Sequence, residues 1–111
     1  METIDEFLRG LSTVDLLSPE DEQAIIESVQ QKGTDCEEMA ELERANSRFI
    51  ASLLLQYQGQ GRTFWELIEA GNEGLRKAAL QYKRGICKSF AQFAVPYVRK
   101  EMKKKLEVED E

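Results

Sequence analysis

Residues 18–57, SPEDEQAIIESVQQKGTDCEEMAELERANSRFIASLLLQY, open with a serine, a proline and two acids, an order that predicts a helix start. Ser18 is placed to accept an orphan backbone N–H, and Pro19 suits the first helical position, whose N–H has no helical partner anyway. Glu20 and Asp21 lie against the positive end of the helix dipole. The helix runs through EDEQAIIESVQQK, and Gly33 is its stop. Thr34-Asp35-Cys36-Glu37 then has the form of a capping box, in which hydroxyl and carboxylate each satisfy a backbone donor. Beyond it Met39, Leu42, Phe49, Ile50, Leu53, Leu54 and Tyr57 recur at three- and four-residue steps, which predicts one long helix with a single apolar face.

The same signals continue downstream. QGQGR breaks the long helix. Thr63-Phe64-Trp65-Glu66 is a second capping box and opens a short helix ending near Gly71. Asn72 can cap another, along which Leu75, Ala78, Ala79 and Tyr82 line one side. YKRGIC reads as a loop, and Ser89 caps the last helix. No alternating strand pattern competes, so the expected fold is all-α, a compact bundle of four to five helices. A chain of 111 residues with 41% hydrophobic residues has room for one core. Residues 18–106 form that domain, preceded by an acidic, amphipathic segment (1–17) and followed by an acidic tail (107–111).

Composition removes several classes of function. The chain has no histidine, and its two cysteines, Cys36 and Cys87, form no CxxC pair, so no metal site or cofactor is expected. Unpaired thiols, no apolar run of membrane-spanning length and no signal peptide in METIDEFLRG place the expected location in the cytoplasm. Gly59-Gln60-Gly61 lacks the third glycine and the preceding strand of a dinucleotide site, and is a turn. The acids Asp35, Glu37, Glu38, Glu41 and Glu43 are spread around an exposed helix start, without the apolar setting that raises a general acid's pKa. The chain does not read as an enzyme.

Charge is distributed unevenly. Residues 1–45 hold thirteen acids and three bases, residues 46–105 twelve bases and four acids, and residues 106–111 four acids, within a total of -6. A basic surface for a polyanion beside an acidic region is one reading of this asymmetry; solvated helix faces that happen to cluster are the other.

The stretch SFAQFAVPYVRKEMKKK, residues 89–105, bears on that choice. At about 100° per residue Phe90, Ala94, Val98 and Met102 form one stripe, long enough to face the core, while Phe93, Tyr97, Lys100 and Lys104 form a second. Rings merging along the axis into ammonium groups suit unstacked bases and their phosphates. Alternatively Phe93 and Tyr97 widen the apolar face and the lysines complement the C-terminal dipole. Pro96 should kink this helix or mark its first turn.

Three landmarks, YQGQG after a long helix, ELIEAGNEGL, and FAQFAVPYVR, appear in order within residues 16–102. Together they resemble the second conserved domain of bacterial RNA polymerase sigma factors of the sigma-seventy family, and LLSPEDEQAIIESVQ resembles the helix that precedes it. The resemblance implies binding of core RNA polymerase, through the clamp helices of its largest subunit, by Glu66, Leu67, Ile68, Glu69, Asn72, Leu75 and Arg76. Ala70, Glu73 and Arg76 depart from the family's usual residues in that segment. It also implies capture of the single-stranded non-template strand of promoter DNA at the minus-ten element by Phe90, Phe93 and Tyr97, with Arg99, Lys100, Lys103 and Lys104 on the phosphates. Pro96 stands where primary factors carry tryptophan. The sequence up to LEVEDE holds no counterpart of the family's C-terminal helix-turn-helix domain, which leaves three expectations: a fragment of a longer factor, a single-domain protein working with a partner chain, or a decoy. Expected partners therefore extend to a second chain supplying that domain or to an anti-sigma factor, with a cytoplasmic, nucleoid-associated location. The alternative expectation is a sigma-like decoy, or a helical protein–protein module that melts no promoter.

Overall fold

Ser18 caps a helix as its position predicts: its Oγ accepts from the Asp21 N–H at 3.1 Å, and Pro19 is the first helical residue. The computed structural model describes residues 4–10, 17–55 and 64–107. Among these residues the chain is entirely helical outside its turns, with α1 (Ile4–Gly10), α2 (Pro19–Lys32), α3 (Glu37–Ala45), α4 (Ser47–Leu54), α5 (Phe64–Gln81) and α6 (Phe90–Glu107). Gly33 ends α2 at φ 89°, where a side chain would be strained, and its N–H bonds the Val29 carbonyl.

Three expectations are corrected. The long helix after Gly33 starts later and is divided. Cys36, not Thr34, is the N-cap residue of α3, and its Sγ donates to the Gly33 carbonyl at 3.3 Å. Asn46 then separates α3 from α4. Its side-chain amide donates to the Leu42 carbonyl at 2.8 Å while its own N–H is shared between the Leu42 and Glu43 carbonyls. Conversely, the chain does not stop at Gly71 or restart at Asn72, because α5 is continuous across them. The expected Thr63 cap lies outside the described residues.

Packing explains that continuity. A Cβ at Gly74 would lie 2.5 Å from the Val98 Cα, and one at Gly71 would lie 2.8 Å from the Ile50 Cγ2. Both glycines are packing residues, at which α6 and α4 approach the α5 backbone. Thus α5 and α6 form an antiparallel hairpin, with Tyr82 beside Phe90, Gly74 against Val98 and Gly71 facing Met102. Ile26, Val29, Met39, Leu42, Ile50, Leu54, Leu67, Leu75, Phe90, Val98 and Met102 fill the core at under 2% exposure. Burial on this scale, about 1.5–3 kcal/mol for a large apolar side chain, holds the eight-residue α4 in a helix that would be marginal alone.

The outer face of the hairpin turn is braced by α2. At the C-terminal end of α2, the Gln30 Nε2 lies 2.8 Å from both the Ala79 and the Tyr82 carbonyl. Near its start, burial pushes the Glu22 carboxyl pKa above the ordinary value, against the opposing pull of the nearby Phe90 N–H.

Candidate nucleic-acid interface

Ser89 starts α6 as expected, its Oγ accepting from the Gln92 N–H at 3.2 Å. The two stripes then separate as the helical angle requires. Phe90, Ala94, Val98 and Met102 are wholly buried, whereas Phe93 and Tyr97 are half-buried at the core margin and Lys100 and Lys104 are exposed. Pro96 lies inside the helix rather than in its first turn. Its missing N–H leaves the Gln92 carbonyl without a helical donor, and the exposure of both residues lets water take that bond.

The rings form a ladder across the edge of the hairpin. Tyr82 stands edge-on to Phe90 (5.4 Å, 86°) and to Phe93 (5.3 Å, 63°), and Phe93 lies tilted against Tyr97 (5.3 Å, 40°). Phe90 is the buried end, so as a group that could touch DNA it is corrected to a core residue that supports the others. Tyr82 is the member that sequence reasoning assigned only to packing, on its spacing from Ala78 and Ala79. Its position one residue beyond the last turn of α5 was the available signal.

Cations flank the ladder on both sides. Lys83, Arg84 and Lys88 are exposed on the loop that leaves Tyr82, and Arg99, Lys100 and Lys103 are exposed along α6. Among the described residues none of these six has an acidic partner. Lys104 differs, since its Nζ lies 3.5 Å from the Glu101 carboxylate, which also accepts from the Lys77 Nζ at 2.9 Å. Glu101 is 9% exposed. Burial pushes its carboxyl pKa up, but the Lys77 hydrogen bond and the charges of Lys77 and Lys104 hold it below the ordinary value.

The other expected surface lies along α5. Leu67 and Leu75 are buried in the core and have no surface to offer a partner, a correction to their expected role. Glu69 is exposed, and Glu66, Ile68 and Asn72 are half-buried. Arg76 bridges Glu43 at 3.5 Å and Glu73 at 3.6 Å, which ties α3 to α5. Burial pushes the Glu43 carboxyl pKa up, against the pull of Arg76. Glu69, Ala70, Glu73 and Arg76 line one wall of a cleft of about 320 Å³ whose other wall is Glu101, Lys104 and Lys105 of α6. Acidic and basic side chains thus face each other across the open end of the hairpin, away from its turn.

Among the described residues no group of three or more candidate ligands could hold a metal ion, and no helix is long and apolar enough to cross a membrane. No family model matches the chain. Over 93 residues, 84% of its length, the chain is 31% identical to RNA polymerase sigma factor SigA of Listeria monocytogenes. Over 95 residues it is 34% identical to RNA polymerase sigma factor SigA of Clostridium acetobutylicum. Each match takes in 24% of the relative, so the chain spans about a quarter of the length of these curated relatives. These similarities support a place for the chain in the sigma-factor family.

Proposed function

We propose that this chain is a transcription initiation module, corresponding to the second domain of a sigma factor, that binds core RNA polymerase and holds the non-template strand of a melted minus-ten element. The observation that carries the reading is the partly exposed ladder Tyr82–Phe93–Tyr97 beside exposed cations that have no acidic partner among the described residues. Bases present π-faces to such rings, and the phosphates on either side fall among ammonium and guanidinium groups. The similarity to sigma factors supports the same reading. The polymerase contact is assigned to the accessible side chains of the expected set, Glu66, Ile68, Glu69, Asn72 and Arg76, together with Glu73 beside them. On this reading the chain catalyses no reaction and works in the cytoplasm at the nucleoid.

The test is fluorescence anisotropy of a labelled minus-ten strand, and of the same sequence as closed duplex, with the chain and purified core polymerase. Binding of core together with preference for the strand supports the reading. Binding of core without any strand preference makes the chain a decoy, and binding of neither makes it a module of another kind.

A further inference from the structure

The hairpin turn that carries Tyr82 is held from outside. A helix leaves its last four carbonyls without helical donors, and α5 ends at Gln81. The Gln30 side chain meets that need with both N–H groups of one amide, donating to Ala79 within the last turn and to Tyr82 just past it. The second bond fixes the backbone of the residue whose ring stands between Phe90 and Phe93. Eight residues earlier on the same helix, Glu22 lies near the Phe90 N–H at the other end of the turn. The Gln30 bonds therefore fix the end of the segment 82–89 that carries Tyr82, and with it the place of that ring beside Phe90 and Phe93.

We propose that Gln30 is a positioning residue for the strand-binding rings: it touches no nucleic acid, and it holds Tyr82 where Phe93 and Tyr97 can be stacked upon. This rests on the function proposed above. A ring displaced by an ångström keeps its apolar burial but loses its register with the next ring. The expected signature is accordingly a selective loss on unstacked bases with the fold intact. An ordinary structural cap would instead weaken stability and all binding together.

Three variants test it on the full chain with core polymerase, using an oligothymidine-flanked minus-ten strand and its closed duplex as probes. Gln30→Glu keeps the size but turns carboxylate oxygens toward two carbonyls, Gln30→Ala removes the donors, and Gln30→Lys retains N–H donors on a stem of similar length. Strand affinity should fall about tenfold in the first two, near the lower end of the loss for a deleted stacking ring, and recover in Gln30→Lys. Duplex affinity and far-UV helicity should stay as they were. Unchanged strand affinity in Gln30→Glu, or equal losses on strand and duplex, overturns the proposal. Tyr97→Ala run in parallel separates this failure from that of the underlying reading: if Tyr97→Ala loses the strand while Gln30→Glu does not, the ladder stands and only the role of Gln30 falls. If the unsubstituted chain shows no strand preference, both fall.

Discussion

Two clusters of aromatic rings close the two ends of α5, about 27 Å apart at 1.5 Å per residue, and they differ in what surrounds them. At the N-terminal end Phe7 of α1 lies edge-on to Phe64 (5.6 Å) and to Trp65 (5.4 Å), which are themselves perpendicular. At the C-terminal end Tyr82, Phe90, Phe93 and Tyr97 form the ladder. Ring chemistry and geometry are alike. The first cluster is followed along α5 by Glu66 and Glu69, the second by Lys83, Arg84 and Lys88 with Lys100 across the hairpin. Rings beside acids make a packing contact; rings set among exposed cations make a place for a polyanion with exposed bases. The first cluster therefore serves to seat α1 on α5, and the second is the one that the proposed function offers to a ligand.

The largest effect that could break this contrast comes from Gly74, which lies beneath the second cluster only. A methyl group there would meet α6 backbone on three sides, the Val98 Cα at 2.5 Å and the Tyr97 carbonyl and Val98 nitrogen at 2.8 Å. No rotamer relieves a backbone clash, so Gly74→Ala should destabilise by about 3 kcal/mol despite alanine's better helix propensity. Gly71→Ala meets side-chain rather than backbone atoms, the Met102 Cε at 3.0 Å, which can move, and the Ile50 Cγ2 at 2.8 Å, which stands on a stiff β-branched carbon. It should cost less, about 1–2 kcal/mol. Urea unfolding followed by far-UV circular dichroism measures both. Equal costs would mean that the helices can separate freely at Val98, and the ladder would lose its rigid support.

Next in size is the comparison of the rings themselves. Tyr97→Ala or Phe93→Ala should weaken strand binding by about 1–3 kcal/mol and leave duplex binding nearly unchanged. Phe7→Ala should do neither. It should cost about 1 kcal/mol of stability, the scale of lost edge-to-face contacts, and change the fluorescence of Trp65, the only tryptophan. If Phe7→Ala impairs strand binding as much as Tyr97→Ala does, the two clusters are not functionally distinct. Lys100→Ala sharpens the point, since loss of one phosphate contact should weaken strand and duplex alike and flatten the salt dependence by slightly under one unit of slope.

Much of this was legible where a local signal and its structural cause coincide. Ser18, Pro19, Gly33 and Ser89 mark helix ends because capping depends on neighbouring atoms alone. The two stripes of α6 could be separated by angle for the same reason. Tertiary causes were harder to read. Gly71 and Asn72 carry the local signs of a stop and a restart, yet neighbouring helices need the space that glycine leaves, and α5 runs on. Asn46 falls on the apolar face between Leu42 and Phe49, and that misplaced polar residue was the only trace of the α3–α4 break. Leu67, Leu75 and Phe90 belong to motifs that resemble binding segments, but a motif does not distinguish the side chains that make a contact from those that support it. Burial makes that distinction. The Gln30 brace left no sequence signal, because forty-nine and fifty-two residues separate it from its two acceptors.

The smallest expected effect lies between the two clusters, where Lys77, Glu101 and Lys104 cross-link the hairpin. The Glu101 carboxyl sits below its ordinary value of 4.5 in the folded chain, so its contribution to stability is present above 4.5 and is lost as pH falls through the folded value. Lys77 is raised above 10.5, so its share is present below that value and is lost only in strong alkali. In Lys77→Ala, burial of Glu101 would be opposed by Lys104 alone, at the longer distance of 3.5 Å, and the folded carboxyl value should move upward. The variant should then be less stable than the parent near neutrality, and the gap should narrow below 4.5 as its carboxyl protonates readily in the folded state. Paired urea titrations at the two pH values, read by Trp65 fluorescence, measure that gap. A gap that stays constant with pH would assign the loss to the packing of the Lys77 stem and leave the ion pair no part in holding α6, and the cations it carries, against α5.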